Sequence, residues 1–214
     1  IPTSAAVKDY VDNSAGGGAS SIDGLSDGKS PDVSSLGLGT GALAADDGTN
    51  NRNVAIGVNA LRSNTTGCNN VAIGYDALCS NIKEFSNVAI GYEAMRANVS
   101  GRHNVAVGQS ALWCNQGSGN TAVGYGAVVV NTTGHGLSAF GRSALRSNTT
   151  GCYNTAIGDC ALYFNTTGNS NVAVGHSTLL ANTTGADNTA FGTSALSSNT
   201  TASENTAIGY LAMA

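Results

Sequence analysis

One five-residue word paces this chain. Copies of N-[T/V]-A-[I/V/F]-G begin at Asn53, Asn70, Asn87, Asn104, Asn120, Leu137, Asn154, Asn171, Asn188 and Asn205. They stand seventeen residues apart except for one interval of sixteen, where the segment NQGSG (residues 115–119) is a residue short. A degenerate earlier copy, SLGLGTGAL at Ser35 to Leu43, fits if one extra residue is allowed. The full consensus is N-[T/V]-A-[I/V/F]-G-x-x-A-L-x-x-N-T-T-G-x-x. Position 3 is always Ala, from Ala55 to Ala207, and position 5 is always Gly, from Gly57 to Gly209. Position 12 is Asn in all nine complete copies: Asn64, Asn81, Asn98, Asn115, Asn131, Asn148, Asn165, Asn182 and Asn199. Position 9 is Leu, Met or Val, whereas positions 6, 7, 10, 11, 16 and 17 accept nearly anything.

Such a division has a physical source. In a solenoid each turn stacks on the same positions of its neighbours, so an inward residue must fit above and below copies of itself while outward residues are free. The word NTAIG alternates, with positions 2 and 4 apolar or β-branched and 1, 3 and 5 small or polar, which reads as a short strand. The small residues of that strand invite close approach by another surface. The following xxALxx reads equally as a second strand or as one helical turn. Gly at position 5 suits a tight corner, and NTTG is a second turn. The recurrent Asn of position 12 is expected to form a side-chain amide ladder along the stack. Helical solenoids need units of about 33 residues or more, so seventeen excludes them. The expectation is an all-β parallel β-solenoid of about ten seventeen-residue turns, roughly 48 Å long at the spacing of stacked strands.

Composition agrees with a thin core. Gly is 29 of 214 residues, charged residues are only 10%, and aromatics are 6%, so Ala, Val, Ile and Leu must supply the interior. A net charge of −4 without a Lys/Arg run gives little grip on nucleic acid or an anionic membrane, and both partners are discounted. No stretch approaches the roughly 18 apolar residues of a membrane span. The chain begins with Ile rather than Met and stops inside a repeat, which is expected of a fragment or processed product. Cys68, Cys79, Cys114, Cys152 and Cys160 show no CxxC pairing and are read as free thiols, with a bridge between chains or adjacent turns as the alternative.

The words NVAIG and NTAIG resemble the coil repeats of trimeric autotransporter adhesin heads. Their longer form, NTTGxxNTAIGxxAL, resembles repeats of phage tail fibres and related trimeric surface fibres, often processed by a self-cleaving chaperone domain. The opening IPTSAAVKDYVD is similar to a connector of such fibres. The resemblance covers about residues 35 to 214 and implies a left-handed β-roll, a homotrimer, and a place on a virion tail or at the cell surface. The period here is longer than in the adhesin heads, and no chaperone sequence is present.

Ahead of the repeats, residues 1–14 read as a short helix capped by Thr3 or Ser4 with an apolar face of Ala5, Ala6, Val7, Tyr10 and Val11. Too short to stand alone, it is expected to pack three-fold as a trimeric collar. AGGGASS and SIDGLSDGKSPD then read as hinge and linker, which divides the chain into residues 1–34 and the repeat domain 35–214.

Motifs for chemistry are sparse. GLGTGA (residues 37–42) lacks the strand, Gly spacing and helix of a dinucleotide loop. ADDGTN (residues 45–50) lacks the alternating ligands of a calcium loop. His103, His135 and His176 occupy positions 17, 16 and 6 and share no ladder, so no metal and no cofactor is expected. The sequons at Asn64, Asn98, Asn131, Asn148, Asn165, Asn182 and Asn199 follow from the turn consensus. Tyr75, Tyr92 and Tyr125 at position 6, Trp113 and Tyr163 at position 10, and Phe164 beside them are candidate platforms for sugar rings, or else packing residues against a neighbouring chain.

The leading expectation is therefore a non-enzymatic, homotrimeric fibre segment that presents or performs recognition of a cell-surface receptor, glycan or protein. A tailspike-type polysaccharide-degrading enzyme would need carboxylates converging across an interface, and no repeated pair supplies them. An ice-binding solenoid would need a Thr array, but position 13 runs Thr65, Ile82, Val99, Gln116, Thr132 over the first five turns.

Overall fold

The computed structural model describes residues 28–29, 34–49 and 51–214. The helix expected over residues 1–14 and the hinge after it lie outside these residues. The described chain is a parallel β-solenoid. Each turn contributes one three-residue strand at positions 2–4, and the strands stack in sequence order into one sheet. They are β2 (Leu36–Leu38), β3 (Val54–Ile56), β4 (Val71–Ile73), β5 (Val88–Ile90), β6 (Val105–Val107), β7 (Thr121–Val123), β8 (Ser138–Phe140), β9 (Thr155–Ile157), β10 (Val172–Val174), β11 (Thr189–Phe191) and β12 (Thr206–Ile208), preceded by β1 (Gly28–Lys29). The residues read as linker thus supply β1, which pairs antiparallel with β2 and covers that edge of the sheet.

Register is unbroken at both irregular intervals. The degenerate copy pairs Leu36 with Val54 across its longer interval, and Ser35 Oγ accepts the Asn53 N–H at 3.2 Å. At the short interval Val105 still faces Thr121. In most turns a position-13 carbonyl accepts N–H groups of the preceding turn, as Ile82 O does from Thr65 and Thr66 at 2.8 and 3.3 Å. Around the deletion the Gln116 side chain takes over this task. Its Oε1 accepts from Val99 and Ser100 N–H at 3.3 and 3.2 Å, while Nε2 donates to Ala97 O at 2.8 Å. A side-chain amide here replaces a missing peptide unit.

The strand faces are the reverse of the expected arrangement. The Ala of position 3 points into the coil and is at most 3% exposed in every repeat from Ala55 to Ala207, in one core with the Ala of position 8 and the Leu, Met or Val of position 9. Positions 2 and 4 face outward and are half-buried or exposed throughout. A lumen this narrow admits only a methyl group from the strand wall, so the bulky β-branched side chains turn out and the small-residue face is already covered.

Positions 6–11 are neither a second strand nor a helical turn. They form consecutive tight turns closed by bonds such as Ala60 N–H to Gly57 O, Arg62 N–H to Asn59 O and Asn64 N–H to Leu61 O, at 3.3, 3.2 and 3.1 Å. The third residues of the first two, positions 7 and 9, take positive φ of 52–60° and 48–52°, as does position 17 at 55–69°. Positions 7 and 17 are therefore not free. Asn, Asp, Ser and Gly recur there because they tolerate this conformation. Leu at position 9 does not, at a cost of about 1–2 kcal/mol; its complete burial, worth about 1.5–3 kcal/mol, offsets that.

Backbone N–H groups tie each turn in both directions. Positions 5, 7 and 17 donate back to the preceding turn, as in Gly74 to Ile56 O, Asp76 to Val58 O and Ser86 to Cys68 O. Positions 2, 9 and 11 donate forward, as in Val71 to Asn87 O, Leu78 to Ala94 O and Ser80 to Arg96 O. At the Gly of position 5 the walls of adjacent turns come close. Gly108 has φ 129°, and a Cβ there would lie 2.7 Å from Gly124 O.

Candidate functional site

Two columns of buried Asn run through the solenoid. At position 12 the Nδ2 of each Asn donates to the Oδ1 of the Asn one turn before, at 2.7–3.2 Å, from Asn81 on Asn64 to Asn199 on Asn182. The ladder breaks once, between Asn81 and Asn98, and Asn81 Oδ1 is left buried without a partner. Each Nδ2 also donates to the carbonyl of position 15, for example Asn148 to Gly151 O and Asn165 to Gly168 O, both at 3.0 Å.

The second column, at position 1, was not anticipated. There Oδ1 accepts the backbone N–H of the next position 1, as Asn53 does from Asn70 at 2.9 Å, while Nδ2 donates to the position-15 carbonyl, as Asn154 does to Gly168 O at 2.7 Å. Its sequence signal was as plain as that of position 12, being Asn in every repeat but that of Leu137. Leu137 is fully buried and interrupts this column. These columns are scaffold, and they hold the outward positions in straight files.

The predicted aromatic platform divides. Tyr75 and Tyr92, on adjacent turns, stack at 5.2 Å with planes 9° apart. One face of each ring is thereby covered by the other, and edges and hydroxyls remain for a ligand. Half-buried Trp113, on the next turn, donates its Nε1–H to Glu93 Oε2 at 3.2 Å. Arg96 Nε lies 3.2 Å from Asp76 Oδ2 and 3.7 Å from Glu93 Oε1, and Asn59 Nδ2 donates to Asp76 Oδ1 at 3.0 Å. The hydrogen bond to Asp76 raises the Arg96 pKa above its ordinary value, against a smaller opposing effect of burial. Asp76, Arg96, Glu93 and Trp113 are thus linked on the three turns that also carry the stacked Tyr75 and Tyr92. Tyr125 shares position 6, but Gln109 intervenes in that file. Tyr163 and Phe164 form a separate edge-to-face pair at 4.6 Å, three turns beyond Trp113.

Chemistry of other kinds is scattered. No two cysteines are joined within the described chain. No three His, Cys, Asp or Glu side chains gather as a metal ion would require among the described residues. In the loop at residues 45–49, Asp47 accepts from the Thr49 hydroxyl at 2.7 Å and from its N–H at 3.0 Å, and these bonds lower its pKa. His103 packs edge-on against Phe85 at 5.1 Å, and His176 Nε2 lies 3.4 Å from Ser177 Oγ. His135 shares no file with another histidine but has a partner in its own, Cys152 one turn on.

The last five complete turns carry a Thr file that the first five position-13 residues concealed. Thr132, Thr149, Thr166 and Thr183 each donate a hydroxyl to the position-13 carbonyl of the next turn at 2.9–3.1 Å. Most of the array's hydroxyl hydrogens are therefore already engaged.

The chain matches no protein-family model, no curated protein and no solved structure.

Proposed function

We propose that this chain is a structural and adhesive segment of a homotrimeric fibre, standing on a virion tail or a cell surface and presenting, or itself performing, recognition of a surface glycan or protein. The observation that carries this reading is the outward face of the sheet. Val54, Val71, Val88 and Val105 at position 2, with Ile56, Ile73, Ile90, Val107, Val123, Phe140, Ile157, Val174, Phe191 and Ile208 at position 4, make an apolar band along the whole stack. Even at its bulkiest members it is open to solvent in the single chain, with Phe140, Ile157 and Phe191 each 42% exposed. A contiguous apolar band of this length marks a protein interface. Because the band is as long and as straight as the solenoid, its natural occupant is the same band of another copy.

Three left-handed coils meeting along these bands, as the resemblance to trimeric fibres implies, would leave the turns facing solvent. The Tyr75, Tyr92 and Trp113 surface is then the candidate for glycan contact, its polar edges and charged groups suiting sugar hydroxyls.

Replacing Ile90 and Ile157 together by Arg tests the interface. The expected result is dissociation to monomers whose β-type circular dichroism is retained; a variant of unchanged assembly mass overturns this interface. Binding to an array of surface glycans, lost in Tyr92→Ala and Trp113→Ala, is the corresponding test of recognition.

A further inference from the structure

We propose that Cys152 is a nucleophilic thiol served by His135, forming a site for thiol–disulfide exchange with a disulfide-bearing molecule. Both residues occupy position 16 of consecutive turns, so the stacking that builds the fold also sets one side chain over the other. Cys152 Sγ lies 3.1 Å from His135 Nδ1. The other ring nitrogen, Nε2, lies 3.2 Å from the Tyr153 hydroxyl, and the two rings meet edge-on at 5.0 Å. The Cys152 backbone is held as well, its N–H donating to Asn169 Oδ1 at 2.8 Å. Nucleophile, base and a group that orients the base thus stand in order, the arrangement by which a thiol is activated. Cys152 is half-buried and His135 exposed, so a reagent has access, and both lie away from the outward strand positions.

The chemistry balances without a further oxidant. The Sγ proton passes to Nδ1 of His135, with Nε2–H held by the Tyr153 hydroxyl. The Sγ thiolate attacks one sulfur of the disulfide, and the new S–S bond forms as the old one breaks. The departing thiolate takes the proton from the imidazolium. The competing acceptor is the Thr150 carbonyl, 3.2 Å from Sγ, and a thiol that donated only there would keep its proton.

The solenoid contains its own control. Cys68 occupies the same repeat position, is likewise half-buried, and has the Asn69 amide at 3.5 Å where Cys152 has an imidazole. Cys160 is the contrary case: burial first, and then the Asp159 carboxylate 3.3 Å from its sulfur, push its pKa up and its reactivity down.

The test treats the full native chain at about neutral pH with limiting 4,4′-dithiodipyridine and maps each modified cysteine by mass spectrometry over time. Cys152 is expected to react roughly tenfold faster than Cys68 or more. His135→Gln should bring Cys152 down to the rate of Cys68 and leave Cys68 unchanged, and Tyr153→Phe should slow Cys152 alone. Equal rates at Cys152 and Cys68 in the wild-type protein overturn the proposal, as does a Cys152 rate that survives His135→Gln. If His135→Gln fails to fold, the wild-type ratio decides.

Discussion

Asn148 and Asn165 are successive members of the same buried ladder, yet their replacement by Ala should have different consequences. Each donates to its predecessor's Oδ1 and to the carbonyl three residues on, and each accepts from its successor. The difference lies in the position-1 column. Gly168 O also receives Asn154 Nδ2 at 2.7 Å and keeps that donor in Asn165→Ala. Gly151 has no such second side-chain donor, because Leu137 stands where the repeat otherwise has Asn. Asn165→Ala therefore strands one acceptor, Asn148 Oδ1, whereas Asn148→Ala strands two, Asn131 Oδ1 and Gly151 O. At about 1–3 kcal/mol for each buried group left unpaired, the expected losses are roughly 1–3 kcal/mol for Asn165→Ala and roughly 2–6 kcal/mol for Asn148→Ala. The cavity is the same in both and cancels in the comparison. Urea unfolding followed by circular dichroism at one fixed protein concentration measures the difference, with equal slopes required before midpoints are compared. Equal midpoints, or Asn165→Ala the less stable, would refute the reasoning that these carbonyls depend on side-chain amides.

Three further outcomes follow from the same geometry. Gly108→Ala forces a side chain into positive-φ backbone and against Gly124 O; strain and overpacking together should cost about 2–6 kcal/mol and lower the thermal midpoint sharply. Gln116→Ala removes the amide that stands in for the missing peptide, but at an exposed turn where water can substitute, so the urea midpoint should register only about 1 kcal/mol. The Asp159 carboxyl is held below its usual range by the hydrogen bond from Arg142, with burial opposing, and a carboxylate of lowered pKa adds stability above its unfolded value that is lost as pH falls through the folded one. The pair is largely exposed, so any gap in thermal midpoint between wild-type and Arg142→Gln protein should be small at neutral pH and should close as pH falls through the lowered folded-state value of Asp159.

The rung period, the invariant Ala and Gly columns and the register across both irregular intervals were legible in the sequence, because stacking makes every inward position repeat. The orientation of the strand was not. Alternation establishes which residues share a face, but only the width of the lumen decides which face is inside, and a lumen that admits Ala and excludes Val reverses the usual expectation. The conformation of positions 7 and 17 was hidden for a related reason: positive φ favours a set of residue types rather than one, and columns in which Asn, Asp, Ser and Gly mix with Glu, Cys, Leu, His and Tyr look like freedom. The aromatic residues were visible in the sequence as residue types, yet their grouping depended on turn geometry, which stacks Tyr75 on Tyr92 and leaves Tyr163 with Phe164. The pairing of His135 with Cys152 needed different residue types to be compared along one file.

The central claim is that the apolar outer band of the sheet is a seam between copies. Light scattering coupled to size exclusion, on the folded chain across a range of concentrations, tests it most directly. The account predicts about 64 kDa, three times the 21.2 kDa chain, and a stable 21.2 kDa monomer at every concentration would contradict it.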